Sequence, residues 1–210
     1  MPDGARYDES EIDAVVREGL ESRRFEFKDA MSFGDVATRG KVIKAALAFA
    51  NTEDGGCIIF GMRKRADSDI HDRVGLTDEQ RKTFRTDNVA DVVNQHAQPP
   101  IRLAVRERDL DGMTLVIISV SQFDDLPVMA TKSFAVNGES QPVVSKGEIY
   151  CRQRGTVATI RVADPAHFHE IVRLATRHET IRYLTIERSL SKAGPTDAAR
   201  FRAELGDWGT

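Results

Sequence analysis

The stretch from residue 36 to residue 61 constrains the fold of this chain more than any other part of its sequence. Residues 36–51 are rich in alanine and leucine and place apolar side chains along one helical face: Val42, Ile43, Ala46, Leu47 and Ala50. Gly55-Gly56 is expected to end this helix, because glycine readily adopts the left-handed conformation. The wholly apolar run Cys57–Phe60 follows. Such runs are typical of strands buried on both faces, so the sequence predicts a helix that leads into a central strand of a sheet.

Two later pairs of segments have the patterns of strands. Residues 101–105 and 115–120 flank Asp111-Gly112, a turn dipeptide that predicts a hairpin. Residues 148–153 and 157–162 predict a second pair, and residues 124–147 between the two pairs are expected to be irregular.

Capping residues predict three further helices. Ser10 is expected to begin a short helix with acidic residues in its first turn. Thr77 and Gln80 have the spacing of a capping box ahead of a helix that runs through Val93. Asp164 is expected to cap the last helix, whose apolar side chains are Phe168, Ile171, Val172, Ala175 and Leu184.

Helices interspersed with hairpins predict an α+β fold, in which helices pack on a mixed, mostly antiparallel sheet. At 210 residues the chain is long enough for one well-packed domain and an appendage. We expect an acidic N-terminal segment (residues 1–14), one domain (residues 15–163), and a C-terminal helix with a tail (residues 164–210). Gly194-Pro195 should break that helix, and the tail to Thr210 should be a loose helix or disordered.

Charge and cysteine content limit the classes of function. The formal net charge of −3 argues against a uniformly basic protein, so any surface for a polyanion must be local. Cys57 and Cys151 lie in apolar runs, which is typical of buried thiols in a reducing compartment. No run approaches the ~18 apolar residues of a membrane span, and no signal-peptide pattern is present. We therefore expect a cytoplasmic protein that does not enter a membrane.

Several segments, taken in order, resemble the Schlafen AlbA-like domain. Residues 21–28 (ESRRFEFK) are similar to the family's E-x4-E-F-K strand. Residues 48–61 (AFANTEDGGCIIFG) resemble its A-F-A-N-T-x-G-G-x-(apolar)3-G signature, the most specific of the matches, with Glu53-Asp54 where the family usually has one residue. Val74-Gly75-Leu76, Pro100-Ile101 and residues 149–152 also fit. The match extends over about residues 15 to 162 and implies an α+β domain that engages nucleic acid.

Glu21, Glu26 and Lys28 are the candidate catalytic residues. Residues 24–28 alternate as a strand does, so Glu26 and Lys28 share one face, opposite Phe25 and Phe27. Mg²⁺ or Mn²⁺ needs converging carboxylates, and a lysine beside them can stabilise charge on a phosphate. Glu21 and Glu26 converge as metal ligands only if Glu21 lies at a bend before the strand. The resemblance implies that this occurs in the family's ribonucleases, whereas a solvated Glu26–Lys28 ion pair is the simpler interpretation.

The position of a third acidic residue departs from the family pattern. After Phe60-Gly61, where nuclease members are expected to carry an acid, this chain reads Met62-Arg63-Lys64-Arg65, and the next acids are Asp67 and Asp69. Cations in place of an acid suit a domain that binds a polyanion without cutting it.

Six cations are the candidate nucleic-acid contacts. Arg63, Lys64 and Arg65 are expected on a loop at the end of the sheet, where they could neutralise phosphates or simply be solvated. Arg152 and Arg154 are expected on one strand face with Tyr150, which could stack on a base, although a charged outer face is the alternative. With Lys28, these side chains are predicted to gather into one electropositive groove.

The leading hypothesis is a regulatory module that binds the phosphate backbone of DNA or RNA and uses no cofactor. One alternative is a metal-dependent endoribonuclease that uses Glu21 and Glu26, with Asp67 or Asp69 displaced into the third position. The other is an interaction module in which the last helix, from Asp164 to about Leu190, forms a homodimer or docks a partner; that helix could equally pack on the sheet.

Overall fold

The computed structural model describes residues 8–192, with side chains as far as residue 189. Its helices are α1 (Glu9–Glu18), α2 (Val36–Ala50), α3 (Asp78–Arg81), α4 (Thr86–Asn94) and α5 (Pro165–Lys192). Its strands are β1 (Phe25–Lys28), β2 (Gly56–Phe60), β3 (Met62–Lys64), β4 (His71–Arg73), β5 (Ala97–Gln98), β6 (Leu103–Leu110), β7 (Met113–Val120), β8 (Met129–Ala130), β9 (Tyr150–Arg152) and β10 (Thr159–Arg161). The predicted break at Gly194-Pro195 and the tail beyond it lie outside the described residues.

The main sheet confirms the predicted α+β fold. Its strand order is β1-β2-β7-β6, with β1 parallel to β2 and the other pairs antiparallel. The predicted hairpin forms β6 and β7, and the later strand pair forms β9 and β10 as a separate antiparallel ribbon. All five residues of β2 are buried between β1 and β7, so the apolar run is a central strand as predicted.

The sheet has a core on each face, because successive side chains of its strands point to opposite sides. On one face, Ile58 and Phe60 of β2 pack with the apolar residues of α2. On the other face, Cys57 and Ile59 pack with Phe25, Phe27 and α1. The register sets Glu26 beside Ile58 and Lys28 beside Phe60. These two polar side chains of the edge strand therefore face the side of the sheet that carries α2.

Two predicted helix boundaries are wrong, as is the prediction that Gly55-Gly56 ends α2. Asp8, not Ser10, caps α1, since its carboxylate accepts a hydrogen bond from the Ser10 amide at 3.0 Å. α2 ends at Ala50 with Asn51 as its C-cap, ahead of Gly55-Gly56. Thr77 and Gln80 do form a capping box, but they cap the short α3, and the helix through Val93 is the separate α4.

The paired glycines have structural roles other than ending a helix. Gly55 adopts φ +72° in the turn before β2, a conformation that favours glycine. Gly56 lies in β2 itself, where an added Cβ would come within 1.9 Å of Cδ1 of Phe49. The second glycine is therefore needed because α2 packs directly against the strand.

Asn51 ties three parts of the chain together. Its amide donates to the carbonyls of Leu47 (3.1 Å), Val128 (2.8 Å) and Tyr150 (3.0 Å), and its oxygen accepts from the Val128 amide (2.7 Å). The adjacent Thr52 hydroxyl accepts from the backbone amide of Arg152 at 3.2 Å. The end of α2 thereby fixes β9 in place.

α5 docks on the domain through one face. Ile171 and Leu174 join the main core, and Glu170 binds both Arg23 and Arg154. Other predicted apolar residues of this helix are exposed: Phe168, Val172 and Leu184. Packing on the domain is thus confirmed for only part of the predicted apolar set. Within residues 8–192, no helix is both long and apolar enough to cross a bilayer.

Candidate functional site

A cleft of about 570 Å³ opens between α2, β1, the β9–β10 ribbon and the segment of residues 134–144. Its lining includes three lysines, three glutamates and a group of apolar side chains. The lysines are Lys28, Lys41 and Lys44, and the glutamates are Glu21, Glu26 and Glu139. The apolar side chains include Val136, Pro142, Val143 and Val157. Charges of both signs therefore face an apolar wall.

A glycine on α2 allows residues 134–144, the outer wall of the cleft, to pack against the helix. Gly40 is buried, and a Cβ there would come within 3.1 Å of Cε1 of Phe134. Phe134 and Val144 exchange backbone hydrogen bonds of 2.8 and 3.3 Å, which close residues 134–144 into a loop. The loop thus rests directly on the helix and bounds the cleft.

The α2 wall carries two cations that the sequence analysis missed. Ala37, Lys41 and Lys44 lie at helical spacing on the stripe of α2 that faces the cleft. Lys41 is exposed, and Lys44 is half-buried with its Nζ 6.0 Å from the centre of the Tyr150 ring. Among the described residues, neither lysine forms an ion pair. Their recurrence at helical spacing on a helix whose second half is otherwise buried was the sequence signal that could have identified them.

The floor of the cleft is a buried ion cluster. Glu26 accepts from Nη1 of Arg152 at 2.6 Å through Oε2, and its Oε1 binds Lys28. The side chain of Arg152 is 1% exposed and stacks 5.1 Å above the Phe49 ring. Burial lowers the pKa of Arg152, while the charge of Glu26 acts in the opposite direction. The simpler interpretation predicted a solvated Glu26–Lys28 ion pair. The structure instead has a partly buried triad of Glu26, Lys28 and Arg152.

Burial overturns the predicted role of the β9 strand face. Tyr150 and Arg152 are both buried, since Asn51 and Thr52 hold β9 against the end of α2. Neither side chain has the exposed surface needed to stack on a base or to bind a phosphate. Arg154 lies beyond the end of β9 and pairs with Glu170 at 3.1 Å.

Glu21 and Glu26 line the same cleft. Glu21 lies before β1, where its Oε1 accepts a hydrogen bond from the Phe27 amide at 2.7 Å. The bend that their convergence requires is therefore present. The side chains do not fit a metal site, however, because both oxygens of Glu26 already bind cations. In the described part of the chain, no three residues of His, Cys, Asp or Glu are grouped to hold a metal ion.

The predicted third acids and the basic run lie together on a hairpin. Arg63 and Lys64 belong to β3, which pairs with β4, so they are not on a loop as predicted. Asp67 and Asp69 lie in the connection, and Asp69 binds Lys64 at 2.8 Å. Neither aspartate lines the cleft, so neither is displaced into the third position.

Ion pairs also occupy the rest of the basic run. Arg63 binds Asp29 at 3.0 Å, and Arg65 binds Asp72 at 2.5 Å. The hydrogen bond from Arg63 lowers the pKa of Asp29, and that from Arg65 lowers the pKa of Asp72. The six predicted cations therefore do not form one unpaired groove: Lys28 and Arg152 meet in the cleft, and the others pair with aspartate or glutamate elsewhere.

Comparisons with known proteins identify a family. The family model described as Schlafen, AlbA_2 matches residues 21–161. No curated protein matches the chain. One similar solved structure is the DIP2311 protein of Corynebacterium diphtheriae (12% identity, TM-score 0.48), with 73% of this chain and 26% of that chain covered. Another is the N-terminal domain of a RecG-related protein of Nitrosomonas europaea (23% identity, TM-score 0.40), with 71% and 91% covered.

Proposed function

Because this chain belongs to the Schlafen AlbA_2 family, we propose that it is a nucleic-acid-binding domain whose cleft holds the phosphate backbone. The proposal rests chiefly on the two lysines of the α2 wall. Lys41 and Lys44 face the cleft without an ion-pair partner among the described residues. A lysine that needs no partner in the free protein can neutralise a phosphate without first breaking an ion pair.

Lys28 of β1 supports the same role from the floor of the cleft. Its carboxylate partner, Glu26, is shared with Arg152, so Lys28 competes for one carboxylate with a second cation. Lys28 of β1 and Lys41 and Lys44 of α2 therefore offer cationic groups to the cleft from two elements. Because the whole chain carries a net charge of −3, binding depends on this local arrangement.

The hairpin cations contribute as outer contacts. The side chains of Arg63, Lys64 and Arg65 are 60%, 58% and 53% exposed, and that of Arg154 is 58% exposed. Exposed ion pairs contribute only about 0–1 kcal/mol, so a phosphate can displace their partners. Leu20, next to Glu21, forms an isolated β-bridge with Ile70, which sets the hairpin near the cleft.

A double substitution tests the α2 wall. Lys41→Ala with Lys44→Ala should weaken binding of a labelled oligonucleotide, because two phosphate contacts are lost. On single strands the slope of log K against log salt should become shallower by about 1.4, at roughly 0.7 for each contact. Fluorescence anisotropy on single- and double-stranded DNA and RNA, at several salt concentrations, provides the measurement.

The matched control is Lys82→Ala with Arg85→Ala, which removes two exposed cations that do not line the cleft. The control should retain the wild-type salt slope. An equal loss in both double variants would assign binding to general charge, and unchanged binding in the Lys41/Lys44 variant would contradict the proposal.

The endoribonuclease alternative has the convergence of Glu21 and Glu26 in its favour and the cation-bound oxygens of Glu26 against it. Incubation of the wild type with structured RNA and Mn²⁺ or Mg²⁺ distinguishes the two functions. RNA that remains intact supports binding alone. Cleavage that Glu26→Gln abolishes would favour the enzyme.

A further inference from the structure

We propose that the cleft receives one unpaired nucleotide of a single strand and selects its base through Glu21. This inference rests on the proposed function and specifies the substrate class. A nucleotide presents three chemical surfaces: an anionic phosphate, two apolar ring faces and an edge with hydrogen-bonding groups. The cleft has a wall of matching chemistry for each.

The first match is between the ring faces and the outer wall. Val136, Pro142 and Val143 come from residues 134–144, and Val157 comes from the turn before β10. Val157 is 41% exposed, so an apolar side chain on this wall is open to a ligand. An extruded base is held by stacking or apolar contact on its faces, and these side chains supply apolar contact beside α2 and its lysines, since Val143 lies close to Gly40.

The second match is between the base edge and Glu21. Oε1 of Glu21 is engaged by the Phe27 amide, whereas Oε2 has no donor among the described residues. Both oxygens of the neighbouring Glu26 are taken by Lys28 and Arg152. Glu21 therefore holds a carboxylate oxygen ready to accept from a ligand.

A carboxylate at this point favours some bases over others. It accepts from the exocyclic amino group of cytosine, as Glu and Asp do when they read that base in DNA. Thymine and uracil have carbonyl oxygens at the corresponding position, which a carboxylate repels. The cleft should therefore bind cytosine strands more tightly than thymine or uracil strands.

The geometry also favours single strands over a duplex. A volume of about 570 Å³ is in the range of small-molecule sites and suits one nucleotide rather than a double helix. In a duplex, the base edge that would reach Glu21 is already paired, and extrusion of a base costs a few kcal/mol.

The test is an anisotropy panel on oligo(dC), oligo(dT), oligo(C), oligo(U) and a mixed duplex at pH 8. For the wild type, cytosine strands should bind about tenfold more tightly than thymine or uracil strands, the difference that one charge-assisted hydrogen bond can give. The duplex should bind more weakly than the cytosine strands. The deoxy and ribo members of each pair distinguish DNA from RNA as the source of the strand.

Glu21→Gln should reverse the base preference. The glutamine oxygen can still accept from the Phe27 amide, and its NH₂ group then faces the ligand as a donor. Donors suit the carbonyls of thymine and uracil, so these strands should become the tighter ligands. An unchanged thermal unfolding curve would show that the variant folds.

A second variant tests the apolar wall independently. Val157→Ser, at an exposed position, should weaken binding of every single strand several-fold and leave the salt slope unchanged, because no charge is altered.

The outcomes separate the inference from the function on which it rests. Equal binding of cytosine and thymine strands by the wild type and by Glu21→Gln, or equal binding of duplex and single strand, would overturn the inference and leave the proposed function intact. Failure of every oligonucleotide to bind would overturn both.

Discussion

At the scale of single residues, Asn51 determines how the cleft is built. One buried amide satisfies carbonyls on α2, on β9 and at Val128, and its oxygen accepts from the Val128 amide. Buried backbone groups must find partners, so no apolar side chain could replace this one without leaving several of them unsatisfied. The arrangement holds β9, and with it Arg152, beneath the floor of the cleft.

Asn51→Ala should lower the free energy of unfolding by about 3 kcal/mol, because a buried group loses several hydrogen bonds. Asn51→Asp should cost more, although it is nearly isosteric. A carboxylate would keep the donor at the Val128 amide but would oppose the carbonyl oxygens of Leu47, Val128 and Tyr150, and a buried charge with so little compensation is expensive. Urea unfolding of the two variants gives the order, and a more stable aspartate variant would contradict this account.

The sequence predicted residue roles well where local pattern determines them. Phe25 and Phe27 alternate with Glu26 and Lys28, and they do lie on opposite faces of β1. The role of Gly56 could not be predicted, because what excludes a side chain there is Phe49 from a different element. Likewise, the burial of Arg152 depends on Asn51, a residue distant in sequence.

At the scale of elements, α5 is attached by an ionic contact as well as by its two buried apolar residues. Glu170 binds Arg23 and Arg154, and its side chain is 9% exposed. Burial alone would raise the pKa of Glu170, but the hydrogen bond and charge of Arg23, with the charge of Arg154, bring it below its ordinary value of 4.5. The docked helix therefore favours the ionised carboxylate.

That depressed pKa predicts how stability depends on pH. A carboxyl group with a lower pKa in the folded than in the unfolded state stabilises the fold above its unfolded pKa, near 4.5. The contribution is lost as pH falls through the folded value. Glu170→Gln should thus cost about 2 kcal/mol at pH 7 and progressively less below pH ~4.

Urea unfolding at a series of pH values measures this difference. Glu179→Gln, at an exposed acid of the same helix, is the matched control and should show little cost at any pH. A cost for Glu170→Gln that stays constant from neutral to acidic pH would show that the ion pairs do not hold the helix.

Helices and strands were predictable where their apolar residues repeat at a clear period. The residues at which they end were less predictable. α2, the apolar β2 and the β6–β7 hairpin appear as predicted. The helix predicted through Val93 is two helices, α3 and α4, and residues 82–85 between them include Phe84, which packs against Phe33 and Phe60. Such a break is set by tertiary packing, so the capping box alone could not reveal it.

At the scale of the whole molecule, the pairing of charges decides which surface can bind. Lys28, Arg63, Lys64, Arg65, Arg152 and Arg154 were predicted to converge because they are cationic, but each has a carboxylate partner in the fold. The Glu26–Lys28 pair could be expected from the sequence, whereas the partners of Arg63, Arg152 and Arg154 come from other elements and could not. Lys41 and Lys44 become candidates because the fold leaves them without ion pairs among the described residues.

Whether the folded domain ends before α5 or includes part of it can be tested by truncation. A boundary at residue 163 removes Ile171 and Leu174 from the core. Chains that end at Ala163 should therefore lose about 3–6 kcal/mol of the free energy of unfolding, the value of two buried aliphatic side chains. Urea unfolding of this truncation against the full chain provides the measurement.

A second truncation, after Glu179, serves as the control, since it retains Glu170 and both buried residues. It should remain close to the full chain in stability. Equal stability of the chain that ends at Ala163 would show that residues 15–163 are a self-sufficient domain and that α5 is an accessory.

The contact of Phe134 with Gly40 has a consequence for how such a domain diversifies. The anchorage of the outer wall lies at its base, while residues 137–141 at its tip are exposed, and a side chain at Gly138 would meet no atom within 4 Å. Insertions or deletions at the tip would rescale the mouth of the cleft and leave the sheet undisturbed, since long surface loops are tolerated at small entropic cost. Length polymorphism in this segment is thus a route by which relatives could exchange one ligand for another on an unaltered scaffold.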